Sequence, residues 1–142
     1  MSPLSIRCIK AAFLALAAGI ALGAAFALDR ALGAQLRPLH AELNLWGWTT
    51  LLIYGMGYHM LPRFAGRPLR RARAADLQSW LAIGGVVAAS LGWLLRMTAA
   101  APAQALLAAG GLAQLAAAVL FALLMGELLL NLGATRRAAP RH

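Results

Sequence analysis

The residues able to do chemistry crowd into one stretch. From Arg37 to Leu69 the chain reads RPLHAELNLWGWTTLLIYGMGYHMLPRFAGRPL, and it holds two of the three histidines, both tyrosines, two of the four tryptophans and one of the four acids. The rest is mostly Ala, Leu and Gly. A neutral imidazole can give a nitrogen to a metal ion, so His40 and His59 are the first candidates. They are 19 residues apart. On one helix that is about 28 Å along the axis, too far to share an ion. They also differ by about 100° around it. α-winding puts His40 on one face with Asn44, Gly47, Leu51 and Tyr58, and His59 on another with Trp48, Leu52 and Gly55.

The element that must position them is a membrane-spanning helix. His40 to Leu61 is apolar and about 20 residues long, which is what a bilayer crossing needs. Pro38 suits the first turn of such a helix, where its missing N–H costs nothing. Pro62 is expected to stop it.

Composition sets the class. Of 142 residues, 62% are hydrophobic and only 12% charged, with a mean hydropathy of +0.73. A soluble domain carries about 25% charged residues. So much apolar surface needs a bilayer rather than a globular core. The net charge of +9 would suggest nucleic acid in a soluble protein. Here the basic residues flank apolar segments, as topology signals do, and no aromatic–basic binding surface accompanies them. The chain reads as an all-α, four-helix transmembrane bundle whose partner is lipid, with no nucleic acid.

The spans are expected at about 11–28, 40–61, 77–95 and 103–132. The basic start, apolar run and Ala25-Phe26-Ala27 also resemble a signal peptide. The run is long for one, and a retained first span is the expectation. Gly19 and Gly23 form a G-x-x-x-G pair, a close-packing signature that arises easily by chance in an Ala/Gly-rich helix. Asp29 to Leu39 reads as a connection. Residues 63–78 form a basic, turn-rich loop, and Asp76 is expected to cap the third span. Gly133 is expected to end the fourth, with Arg136 and Arg137 beside its C-terminus and a disordered tail over 134–142. Glu127, deep in an apolar helix, is expected to be neutralised or paired with an arginine of the 63–78 loop.

Four spans put both termini on one side. Ten basic residues fall on that side and three on the other. The positive-inside rule makes the first side cytoplasmic, in a bacterial-type inner (plasma) membrane, and places His40 near the outer face. Cys8 is the one cysteine, so no disulfide forms within the chain, and no Cys-x-x-Cys-His motif attaches heme covalently.

Arg37-Pro38-Leu39-His40-x-x-x-Asn44, followed by an aromatic- and Gly-rich apolar run and a closing Tyr58-x-x-x-Pro62, resembles helix II of the catalytic subunit of heme-copper oxidases and nitric oxide reductases. The resemblance covers about a quarter of the chain. It implies a b-type heme with His40 as axial ligand. Asn44 and Gly47 would then lie in the heme environment, and Arg37, with Arg30, would neutralise propionates. The family's later histidine helices are missing here, so oxygen or nitric oxide reduction by this chain alone is not expected. The sixth ligand stays open between His40 of a second copy in a homodimer, Met97 in the other outer loop, and none. His59 is a weaker candidate ligand for a second heme or metal.

Two functions follow. The first is a membrane b-type heme protein for electron transfer or diatomic-gas sensing. The second is a cofactor-free accessory or assembly subunit of a larger respiratory complex. A small transporter fits less well, because the paired intramembrane charges and broken helices expected there are missing.

Overall fold

The computed structural model describes residues 2–138, with side chains through Leu130. The helices are α1 (Pro3–Leu28), α2 (Arg30–Glu42), a π-helical segment (Leu43–Thr50), α3 (Leu51–Phe64), α4 (Ala72–Leu95) and α5 (Ala100–Ala138). There is no strand among the described residues. The α2, π and α3 segments run on as one rod over residues 30–64, so the fold is the four-helix bundle expected. α1, α4 and the described part of α5 are each long and apolar enough to cross a membrane. The rod packs beside them, and residues 43–61 within it carry no charged side chain.

Helix ends depart from expectation in instructive ways. α1 begins at Pro3, eight residues early, because Ser2 caps it through a bond from the Ser5 N–H. The rod begins at Arg30, not at His40. Asp29 is extended, and its carboxylate accepts from the Ala31 and Leu32 N–H groups at 2.8 and 3.2 Å. One residue therefore turns α1 back on itself, and Pro38 sits inside a helix rather than at its start. Pro62 does not stop the rod either. The helix runs to Phe64 and closes on Gly66, whose positive φ of 61° lets Gly66 N–H reach the Arg63 carbonyl and Arg67 N–H the Pro62 carbonyl. α4 starts at Ala72 with no side-chain cap, so Asp76 lies within it. Its carboxylate instead binds Arg7 at 2.6 Å. α5 is helical past Gly133 to Ala138, and residues 139–142 of the expected tail lie outside the described residues.

The helices alternate in direction, and the bundle is two hairpins. One is α1 with the rod, the other α4 with α5. Each hairpin is held by glycines. A Cβ on Gly110 would lie 2.6 Å from the Ala89 nitrogen and 2.8 Å from the Gly85 oxygen, so the two backbones touch. Between apolar helices in lipid, close packing of this kind replaces the hydrophobic drive available in water.

Between the hairpins the ties are polar. Tyr58 Oη donates to Gln78 Oε1 at 3.0 Å, and Gln78 Nε2 donates in turn, within its own hairpin, to the Ala117 carbonyl at 3.2 Å. Gln114 Nε2 donates to Glu42 Oε1. Arg7 donates to Ser79 as well as to Asp76, and its guanidinium lies 4.3 Å from the Trp80 ring. Gln78 and Ser79 have no exposed surface, so these bonds satisfy groups that water cannot reach.

Gly110→Ala drives a methyl into backbone and is expected to destabilise the α4–α5 hairpin by about 1–3 kcal/mol. Gly111→Ala, which meets nothing within 4 Å, is expected to stay within about 0.5 kcal/mol of wild type. Thermal unfolding in detergent measures both, and equal shifts would refute the backbone contact.

Candidate functional site

His40 lies ten residues inside the rod, about 15 Å along the axis from Arg30, and not in a first turn. Its half-buried ring faces α1. Nδ1 is 3.0 Å from the Gly19 carbonyl. A carbonyl only accepts, so this bond places the proton on Nδ1. In the neutral ring Nε2 then carries the lone pair. Asn44 Nδ2 donates to the His40 carbonyl at 2.8 Å and lies 3.4 Å from both ring nitrogens. Equal distances place the amide against the ring, not in line with either nitrogen. Phe26 packs on His40 at 5.5 Å between centroids, tilted by 57°.

The partners of His40 and Asn44 are the two glycines of the G-x-x-x-G pair. A Cβ on Gly19 would be 2.7 Å from Asn44 Nδ2, and one on Gly23 would be 3.0 Å from His40 Cε1. His-x-x-x-Asn on one helix thus meets Gly-x-x-x-Gly on its antiparallel neighbour, one turn matched to one turn. Gly47 continues the seam one turn on, where a Cβ would lie 2.6 Å from that of Ala15.

The π segment starts directly below. Two hydroxyls cover the carbonyls of its wider winding: Thr49 Oγ1 donates to the Asn44 carbonyl at 2.9 Å and Thr50 Oγ1 to the Leu45 carbonyl at 2.8 Å. Fewer degrees are turned per residue here. Gly47 and Gly55, about 80° apart on an α-helix, therefore both meet α1; a Cβ on Gly55 would lie 2.7 Å from Ile9 and 3.2 Å from Cys8. Tyr58, which α-winding puts on the His40 face, is turned instead toward Gln78 and Phe121.

The other candidates are not gathered at His40. Arg37 is exposed and forms no ion pair among the described residues. Met97 is half exposed and lines a groove with Gln35, Pro38, Trp93 and Arg96, about 200° around α2 from His40 as judged from Pro38. His59 lies near the far end of the rod, one turn before Arg63. Glu127 pairs with Arg71 at 3.5 Å and Arg70 at 3.7 Å. Among the described residues no three His, Cys, Asp or Glu side chains come together to hold a metal ion. An axial ligand to heme iron needs no such cluster.

Glu42, two residues beyond His40, reaches across to Gln114, a contact sequence reasoning did not foresee. It passed over Phe26 and set the glycine pair aside as chance. The signal was present in the matched four-residue spacings on two adjacent spans.

Gly19→Ala is expected to destabilise the protein by about 1 kcal/mol by displacing the Asn44 amide. In an Asn44→Ala background the same substitution is expected to cost nothing, a coupling of about 1 kcal/mol in a double-mutant cycle. Additive effects would place Asn44 elsewhere.

No known protein family, curated protein or solved structure matches this chain.

Proposed function

We propose that this chain is a membrane b-type heme protein with His40 Nε2 as axial ligand. The observation that carries the reading is the bond from His40 Nδ1–H to the Gly19 carbonyl. It fixes the tautomer that leaves Nε2 free to donate, orients the ring and raises its basicity, as the outer partners of metal-bound histidines do. Asn44 braces the ring from its face. Bound there, heme supplies one-electron exchange or an open coordination position for a diatomic gas. Met97 lies by Pro38, on another side of α2 from His40, so a second protein ligand to such a heme would come from His40 of a second copy in a homodimer, or there would be none. The basic residues on the side of both termini favour a cytoplasmic placement for that side, in a bacterial-type inner membrane.

One observation favours a second reading. The notches at Gly19, Gly23 and Gly47 are filled by Asn44, His40 and Ala15, so the α1 side of His40 offers no flat gap. In that reading His40 is a packing residue in a cofactor-free accessory or assembly subunit of a larger respiratory complex.

Absorption spectra decide between them. Wild type purified after heme supplementation is expected to show a b-type spectrum on dithionite reduction, and His40→Ala to lose it while keeping its helicity. Colourless wild type would leave the accessory reading in front, and an unchanged spectrum in His40→Ala would overturn His40 as the ligand.

A further inference from the structure

The connection between α3 and α4 carries Arg67, Arg70 and Arg71, with Arg63 just before it in α3 and Arg73 just beyond in α4. A cavity of about 280 Å³ opens beside it, lined by Arg67, Pro68, Leu69, Arg70, Arg71, Leu124, Glu127 and Leu128. That is close to the lower limit of small-molecule sites, about 300 Å³. Its composition is two-sided. Three guanidiniums and one carboxylate meet there, a net charge of +2. On the other side Leu124 and Leu128 present the last apolar turns of the described α5, each 7% exposed.

Charge is left over at this site. The carboxylate of Glu127 lies 3.5 Å from Arg71 and 3.7 Å from Arg70, long contacts to groups that each carry five N–H donors. The side chains of Arg70 and Arg71 stay 76% and 70% exposed. The ion pairs among the described residues do not involve Arg67. Planar guanidiniums bind phosphate oxygens in pairs and tolerate partial desolvation better than an ammonium does. The site also lies at the junction of an apolar helix and a basic loop, where a bilayer changes from hydrocarbon to headgroup.

The geometry points to a binding site for an anionic phospholipid. Its phosphate sits among Arg67, Arg70 and Arg71, and the start of its acyl chains lies along Leu124 and Leu128. A free anion satisfies only the charged side of this cavity. An amphiphile satisfies both. A zwitterionic lipid brings an ammonium that the surplus positive charge repels.

The test uses the full chain purified in a neutral detergent. Native mass spectrometry, with phosphatidylglycerol or phosphatidylcholine added, is expected to show phosphatidylglycerol retained selectively. In Arg67→Gln/Arg71→Gln the affinity is expected to fall about 30-fold, equivalent to about 1 kcal/mol per basic side chain. Arg30→Gln/Arg96→Gln, with the same loss of charge at the other end of the bundle, is expected to bind as wild type does. Equal retention of the two lipids, an equal loss in both double variants, or full competition by millimolar inorganic phosphate would overturn the proposal. A second measurement needs no variant. A photoactivatable phosphatidylglycerol is expected to label wild type within residues 67–71 and 124–128, and labelling confined to other segments would also overturn it.

Discussion

The structure depends on how closely two backbones can approach in a medium that gives helices no hydrophobic reason to meet. Gly19 is the clearest case. Without a side chain it admits the Asn44 amide, and its carbonyl accepts from His40 while remaining part of α1. A carbonyl has two lone pairs, so the helix loses nothing by lending one. Any side chain here would move Asn44, free the imidazole from its hydrogen bond and loosen the seam that continues through Gly47 and Gly55. The same logic, with backbone against backbone, holds α4 to α5 at Gly110. The glycines set the distances, and the polar side chains are aimed by what those distances allow.

Two kinds of contact therefore divide the work. Within each hairpin the closest approaches are made at glycines, against backbone, a methyl or, at Gly19 and Gly23, the Asn44 amide and the His40 ring. Between hairpins they are directional: Tyr58 to Gln78, Gln114 to Glu42, Arg7 to Asp76 and Ser79. Small residues make approach possible without specifying much about angle, whereas a buried hydrogen bond fails if its partner is a turn away. The arrangement of one hairpin against the other is specified by a few side chains, of which Tyr58, Gln78, Ser79 and Gln114 are buried away from water.

Much of the fold was legible in the sequence because apolar runs of about 20 residues have few other uses. The number of helices, their order and the pairing of Glu127 with the arginine loop all follow from composition and spacing. Helix ends did not. Pro38 and Pro62 read as boundaries, yet a continuous helix passes through both, because Asp29 and Gly66 supply stronger local signals outside them. Asp76 has the chemistry of a cap, but Arg7 is a better partner for its carboxylate, and that partner is 69 residues away in sequence. His40 and Asn44 were legible as a pair. Their receiver on α1 was not, because G-x-x-x-G in an Ala-rich helix means little until the facing residues are known. The π segment leaves no pattern in hydrophobic periodicity. Its trace is Asn44, Thr49 and Thr50, three short polar side chains that can reach carbonyls wound more loosely than usual.

That segment also bears on how the gene can change. A rod wound as an α-helix throughout and one residue shorter would present nearly the same sides to α1, α4 and α5. Loss of one codon between Leu43 and Thr50 is thus absorbed by tightening the turn, with His40 still over Gly23 and Tyr58 still toward Gln78. Loss of one codon in the middle of α4 has no such reserve. It would swing everything beyond it by about 100° and carry Gly85 away from Gly110. The rod that holds the histidines is, in length, the more forgiving of the two.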